Sequence, residues 1–431
     1  MKIAARITVC LLSIVIVFMA VSCSSGEKPV EDLALSEEKV SNNSSGLPAS
    51  AGEIDSRLVD ANKIFGFKVF KQLIKQEPGK NIIISPTSIS IALAMTYNGA
   101  EGETKDAMAG TLEVQNIDID ELNNSYTGLK TILQNPDPHV QISIANSLWM
   151  RKGTSFYEEF LNVNQEYYGA EVQGLDFESS EASKTINGWV KEQTKEKIDK
   201  IVDDNIDPDT ILFLINALYF NGNWTHKFDP NLTREEPFFL GDGTEKSCSM
   251  MFRSTEEYPY FDGENFQAVN LPYGKERLSM ILFLPDEGVN LQEFCQGITV
   301  EKWDEWMNSF VSTKGIIGLP KFKAEYEVEL KETLKVLGMA EAFDEKKADF
   351  SKMHPIASLG EIYIDRVKHK TFVETNEEGT EAAGATVVEM KREGLPTDNF
   401  NMIINRPFFF AVRDNETDTI LFMGIIENPE V

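Results

Sequence analysis

Residues 210–220 form a nearly continuous apolar run, interrupted by Asn216 and closed by Asn221-Gly222-Asn223. The run has the length of a strand, and the Asn-Gly pair ends it as a turn signal does. Apolar residues at successive positions mark a strand covered on both faces, because strand side chains alternate from one face to the other. The segment therefore reads as a buried strand, and the rest of the chain has to supply its cover.

Helical periodicity comes first along the chain. Ile64, Phe67, Val69, Phe70 and Leu73 recur at helical spacing up to the break at Pro78-Gly79. A second helix is expected after Ser85-Pro86, with the proline in its first turn and Ile89, Ala92, Leu93 and Thr96 on one face. Helical patterns continue to about residue 133 and return at 181–200 and 326–337. Strands are expected at 140–150, 210–220, 278–284, 315–319, 361–375, 407–412 and 419–425. Helices followed by many strands imply an α+β fold with large, mostly antiparallel sheets.

The chain has 431 residues, of which 42% are hydrophobic and 26% charged. That composition supplies a packed core and excludes a disordered chain. The 41 Lys and Arg against 69 Asp and Glu give a formal charge of −28. Such a surface repels phosphate backbones, which excludes nucleic acid as a partner. Lys2 and Arg6 precede an apolar run over 7–21, short for a membrane span and suited to the core of a signal peptide. It ends in Ala20-Val21-Ser22-Cys23-Ser24, which is similar to a bacterial-type lipobox, with Ala20 where an aliphatic residue is usual. Residues 1–22 read as a signal peptide and Cys23 as a lipidation candidate; plain secretory cleavage nearby and an uncleaved anchor are the alternatives. Residues 23–54, rich in Ser, Gly, Glu, Asn and Pro, read as a flexible spacer before a body at 55–431. The protein is expected to be exported, extracellular or a cell-surface lipoprotein tethered through Cys23. Cys248 and Cys295 pair only if the fold brings them together.

One late segment carries an unusual charge pattern. From 380 to 391 the even positions are Thr380, Ala382, Gly384, Thr386, Val388 and Met390, none of them charged. The odd positions are Glu381, Ala383, Ala385, Val387, Glu389 and Lys391, and all three charges lie there. As a strand, this stretch of about 40 Å enters a sheet with one uncharged face. A slip of one residue buries all three charges, so the register is specified. Small residues at 382–385 pass between existing strands, and Gly379 supplies backbone freedom at the pivot.

The same segment resembles a known family. Glu377-Glu378-Gly379-Thr380-Glu381-Ala382-Ala383-Gly384-Ala385-Thr386 resembles the proximal hinge of an inhibitory serpin. Met402-Ile403-Ile404-Asn405-Arg406-Pro407-Phe408-Phe409-Phe410-Ala411-Val412 resembles the family's C-terminal signature. Residues 81–95, 214–224 and Phe422-Met423-Gly424 match as well, in order, across about 55–431. The resemblance implies a monomer with the serpin fold: eight or nine helices around three β-sheets, and an exposed reactive-centre loop at about 377–396. It implies no cofactor and no metal, and a serine or cysteine protease as the partner. In such proteins the protease cuts the loop and is held as an acyl-enzyme, while the loop inserts as a new strand of the main sheet. Carried over by position, Ser85, Ser88, Asn216 and His369 match the shutter that holds the central strands, and Trp224, Lys321 and Glu377 match the breach above it. Lys321 is expected to pair with Glu377.

The family's spacing, counted as fifteen positions from Gly379 or as twelve before Arg406, places the scissile bond at Glu393-Gly394, which implies a glutamyl-specific protease. Met390-Lys391-Arg392 offers a rival bond, Arg392-Glu393, to a trypsin-like enzyme. An enzyme is not expected: there are four His, no Gly-x-Ser-x-Gly, no zinc-type cluster and no P-loop. A non-inhibitory serpin, acting as a binding or chaperone-like module, is the alternative function.

Overall fold

Helix starts follow the side-chain signals in the sequence. Asp55 caps α1 (Ser56–Gln76) by accepting from the Arg57 N–H, and Ser85 caps α2 (Pro86–Tyr97) by accepting from the Ser88 N–H, with Pro86 in the first turn. The computed structural model describes residues 54–133, 137–207, 209–354, 362–380 and 400–430. The expected signal segment, the spacer up to residue 53 with Cys23, the hinge residues Glu381, Ala382, Ala383, Gly384, Ala385 and Thr386, and the bond candidates Arg392, Glu393 and Gly394 lie outside the described residues.

Seven further helices follow: α3 (Gly102–Leu112), α4 (Ile119–Leu133), α5 (Glu158–Tyr168), α6 (Ser180–Gln193), α7 (Leu291–Gln296), α8 (Val300–Met307) and α9 (Lys331–Leu334). The strands are β1 (Ile82–Ile84), β2 (Val140–Arg151), β3 (Glu171–Leu175), β4 (Leu212–Asn223), β5 (Arg234–Phe239), β6 (Glu245–Asp262), β7 (Phe266–Tyr273) and β8 (Leu278–Pro285). They continue with β9 (Val311–Pro320), β10 (Phe322–Glu329), β11 (Lys368–Thr375), β12 (Gly379–Thr380), β13 (Phe400–Ile403), β14 (Phe408–Asp414) and β15 (Ile420–Ile426). Nine α-helices among the described residues agree with the expected number.

Six strands form one sheet in the order β10-β11-β12-β4-β2-β3. The other runs β1-β15-β14-β8-β7-β6-β9-β13, with β5 also paired to β6. Only β2–β3 and β9–β13 are parallel, in keeping with the antiparallel expectation. Three sheets were expected, and the hydrogen bonds join two of them. The 18-residue β6 pairs with β9 and β5 along most of its length, then with β7 only at Tyr260, Phe261 and Asp262. The expected third sheet is thus the β5-β6-β9-β13 half of a nine-stranded one.

Four sequence expectations need correction. Residues 326–337 are not one helix: Phe322, Ala324 and Tyr326 are buried while Lys323, Glu325 and Glu327 face out, a period of two that extends β10 to Glu329. The helix at 181–200 ends at Gln193, where Lys195 and Glu196 take left-handed backbone angles. The strand expected at 361–375 begins only at Lys368. The run at 210–220 is a strand but is not sealed on both faces: Ile215, Ala217 and Tyr219 are buried, whereas Phe213, Leu214 and Leu218 are only half-buried.

The main core packs α1 and α2 against the nine-stranded sheet, with Phe67, Phe283, Phe409 and Trp303 in ring contact. A smaller, separate cluster lies under α6, where Ile186 and Val190 meet Trp149 of β2 and Ile215 of β4. Ile215 and Phe213 of β4 thus face α6, while the half-buried Leu214 and Leu218 on the opposite face look toward the main core.

Candidate functional site

The central strands of the six-stranded sheet are not paired like the others. β4 pairs with β2 from Leu212 to Gly222, and β11 pairs with β10 along its whole length. Between β4 and β11 stand only the two residues of β12 among the described residues: Gly379 opposite Asn223, and Thr380 between Gly222 and Thr375. Below Thr380 the ladders give β4 and β11 no shared partner there. Strands of eight and twelve residues so placed form a seam along which neither is paired to the other among the described residues.

At the top of this seam the chain entering β12 is held tightly. The Trp224 N–H donates to the Glu378 carbonyl at 2.9 Å, the Phe228 N–H to the Glu377 carbonyl at 3.0 Å, and the Trp224 indole N–H to the Asn376 carbonyl at 2.9 Å. The Asn376 side chain accepts from the N–H groups of Glu378 and Gly379. Lys321 Nζ lies 3.0 Å from Glu377 Oε2, and the Thr233 hydroxyl donates to Oε1 at 2.9 Å. Burial works to raise the Glu377 carboxyl, but hydrogen bonds from its own backbone, Lys321 and Thr233 outweigh it and hold the group below its ordinary range. The expected Lys321–Glu377 pair is present, with Trp224 beside it.

Thr380 is 2% exposed, and its hydroxyl is 2.6 Å from the Tyr273 hydroxyl. Tyr273 stacks on Trp224 with ring centres 4.5 Å apart and 10° between planes. The hinge threonine is thus docked in the seam on an uncharged surface, as its even position requires. Gly379 has φ +156°, and a Cβ there collides with the Gly222 carbonyl. Only glycine lets this backbone pass so close to β4.

Lower down, the four shutter residues do not bridge β4 and β11 directly. Each strand is tied instead to the start of α2. His369 of β11 accepts at Nε2 from the Ser85 N–H at 3.0 Å. Asn216 of β4 accepts from the Ser88 hydroxyl. Asn216 also donates to Asn146, its register partner on β2, at 2.6 Å, and Asn146 donates to the Tyr168 carbonyl. Thr371, two residues along β11, donates to the Ile83 carbonyl at 2.7 Å. Full burial pushes the His369 imidazole down to about 3, so its Nε2 is free of a proton and able to accept. The first turn of α2 is a buried peg that both strands grip.

Tyr273, Asn376, Thr233 and Asn146 belong to this site and were not foreseen. Asn146 had a readable signal, a polar amide among alternating apolar residues in β2, where a partner is obligatory. Tyr273 had none, since it comes from the other sheet. Cys248 and Cys295 are both buried free thiols, so the fold does not bring them together.

A family model described as Serpin (serine protease inhibitor) matches residues 60–429. Human leukocyte elastase inhibitor is 35% identical over 386 residues, covering 86% of this chain and 100% of that protein. Among solved structures, the native state of a thermophilic serpin, tengpin, has a TM-score of 0.80 at 34% identity, covering 89% of this chain and 97% of that one. Thyroxine-binding globulin in complex with thyroxine has a TM-score of 0.77 at 27% identity, covering 87% and 100%.

Proposed function

The chain belongs to the serpin family, and we propose that it inhibits a protease as a suicide substrate rather than catalysing a reaction of its own. The observation that carries this reading is Thr380, buried between β4 and β11 above a seam with no other strand from the described residues. In the sequence, the next residues toward the bait alternate so that Glu381, Glu389 and Lys391 all fall at odd positions and no charge falls at an even one. The protease's nucleophile attacks the bait carbonyl and stays bonded to it as the acyl-enzyme, while the peptide C–N bond breaks and the C-terminal segment leaves with a free amino terminus that takes up the nucleophile's proton. The freed 380–391 stretch then zips downward from Thr380, gaining ladder hydrogen bonds on both sides. This carries the linked protease away from the loop's original place before water cleaves the ester.

The bond is Glu393-Gly394 in this reading, with Arg392-Glu393 as the rival. Incubation with a glutamyl endopeptidase and with trypsin, followed by denaturing electrophoresis and N-terminal sequencing of the released fragment, decides both mechanism and bond. A covalent complex with a new N-terminus at Gly394 supports the reading; a complex with trypsin alone moves the bond to Arg392. Cleavage that yields no complex and no rise in melting temperature favours a non-inhibitory member, a function consistent with a relative that carries thyroxine. We also propose export with lipid on Cys23, which intact mass of the mature N-terminus tests.

A further inference from the structure

We propose that Arg366, two residues before β11, receives Glu389 of the bait segment when that segment has fully entered the seam, and so favours complete over partial insertion. The proposal rests on the insertion reading above. Its basis is the register that the sheet already holds. Thr380 stands opposite Gly222 of β4 and Thr375 of β11, and both ladders are antiparallel. Paired strands advance one residue for one residue, so each residue entering after Thr380 meets the next residue back along β4 and along β11. Continued in this way, Ala382 falls between Phe220 and Val373, Val388 between Leu214 and Val367, and Glu389 between Phe213 and Arg366. β4 begins at Leu212, opposite Met390, so Glu389 is the last charge that enters between the two strands. It comes to rest about 30 Å below Thr380.

The faces of β11 agree with this register. Lys368, Lys370, Phe372 and Glu374 alternate with the buried His369, Thr371, Val373 and Thr375. The uncharged even positions of the bait therefore meet the buried row, and its odd positions meet the outer row. Of the two bait carboxylates, Glu381 falls opposite Glu374, a like charge, and gains nothing there. Glu389 falls opposite a cation. The Arg366 side chain is exposed, with Nη1 3.3 Å from Asp203 and Nε 3.2 Å from Asp365. Its Nη2 makes no hydrogen bond among the described residues, which leaves a charged donor for a carboxylate across the strand. The Leu330 N–H donates to the Val367 carbonyl at 2.8 Å, so the pairing of β10 with this chain already reaches the residue beside Arg366. A strand that stops short leaves Glu389 outside the sheet, and only the last step of entry makes the pair. Arg366 is thus a positioning residue: it touches no reacting atom and acts on the depth of the inserted strand.

The test uses the full uncleaved chain and synthetic peptides of residues 380–391. It reads the melting temperature of each peptide-loaded protein against the same protein without peptide. Glu389→Arg in the peptide is expected to reduce the rise in melting temperature on the wild-type chain by about 2–3 °C, because an attractive cross-strand pair becomes a repulsive one. Arg366→Glu in the chain is expected to restore that loss for the Glu389→Arg peptide and to cause it for the wild-type peptide. Lys368→Glu changes the neighbouring cation of the outer row, opposite Val387, and is expected to restore less. A Glu389→Arg peptide that behaves alike on the wild-type and Arg366→Glu chains, or that Lys368→Glu restores as well as Arg366→Glu does, overturns the role of Arg366 while leaving insertion intact. A wild-type peptide that produces no rise on the wild-type chain overturns insertion, and the pairing with it.

Discussion

Single residues at the top of the seam decide whether the hinge docks. Thr380 sits on an uncharged surface 2.6 Å from the Tyr273 hydroxyl. Thr380→Arg forces a guanidinium into that place, with no carboxylate among its described partners, at a cost of several kcal/mol. The expected outcome is a protein that its protease cleaves and releases, read as a stoichiometry of inhibition many times that of wild type; Thr380→Ser is expected to retain inhibition. Lys321→Ala strips Glu377 of its cation and leaves a partly buried carboxylate held only by its own backbone N–H and Thr233, costing about 1–3 kcal/mol. On the insertion mechanism proposed above the native state is held by a barrier, so the readout is the half-life of the inhibitory form at elevated temperature, which is expected to shorten. His369 gives the pH dependence. Its folded-state pKa, about 3, lies below the ordinary 6.5, so the neutral ring favours the native state fully above pH 6.5. That contribution declines as pH falls from 6.5 toward 3, and the native half-life is expected to shorten over this range by an amount worth a few kcal/mol. Glu377, with a lowered pKa, adds its loss only below its ordinary value of 4.5. His369→Gln is therefore expected to flatten the profile between pH 6.5 and 5 specifically.

At the scale of elements, the start of α2 is the point to which both strands flanking the seam are tied. Ser85 and Ser88 each anchor a different strand, so a lesion in α2 loosens both edges of the seam at once. Ser88→Ala is expected to speed spontaneous loop insertion, measured as loss of inhibitory activity without cleavage, more than substitution of any exposed α2 residue. The legibility of elements followed the same physics. β2 was readable because one face meets the core and the other does not, which writes a period of two into the sequence. β10 has that period too, but its last residues run into α9 and a π-turn at Lys335–Met339, and a window spanning both imitates a helix. Gly379 and Thr380 were legible because their chemistry is local, a glycine and a small uncharged residue, whereas the shutter roles of Ser85, Ser88, Asn216 and His369 came from the family resemblance alone. The bridge through Tyr273 and the α2 peg were not, because they join residues more than a hundred positions apart.

At the scale of the whole molecule, the fold of the described residues stands on its core and not on disulfides. Burial pushes Cys248 up to about 11 and raises Cys295 well above its ordinary value, so both thiols are poor nucleophiles. Reductant is expected to leave the melting temperature unchanged within error. Consider also where the strands beyond the bait lie. β14 and β15 sit between β8 and β1 in the nine-stranded sheet, with Phe408, Phe409, Phe410 and Leu421 fully buried. A nick at Glu393-Gly394 therefore makes a two-chain protein whose halves stay interlocked in buffer and separate only when the sheet itself is melted. With the proposed bond, the acyl linkage is to the carbonyl of Glu393, so on a denaturing gel the trapped enzyme is expected to travel with the long N-terminal piece. The short tail, which anchors half a sheet, drops away as the only witness of where the cut was made.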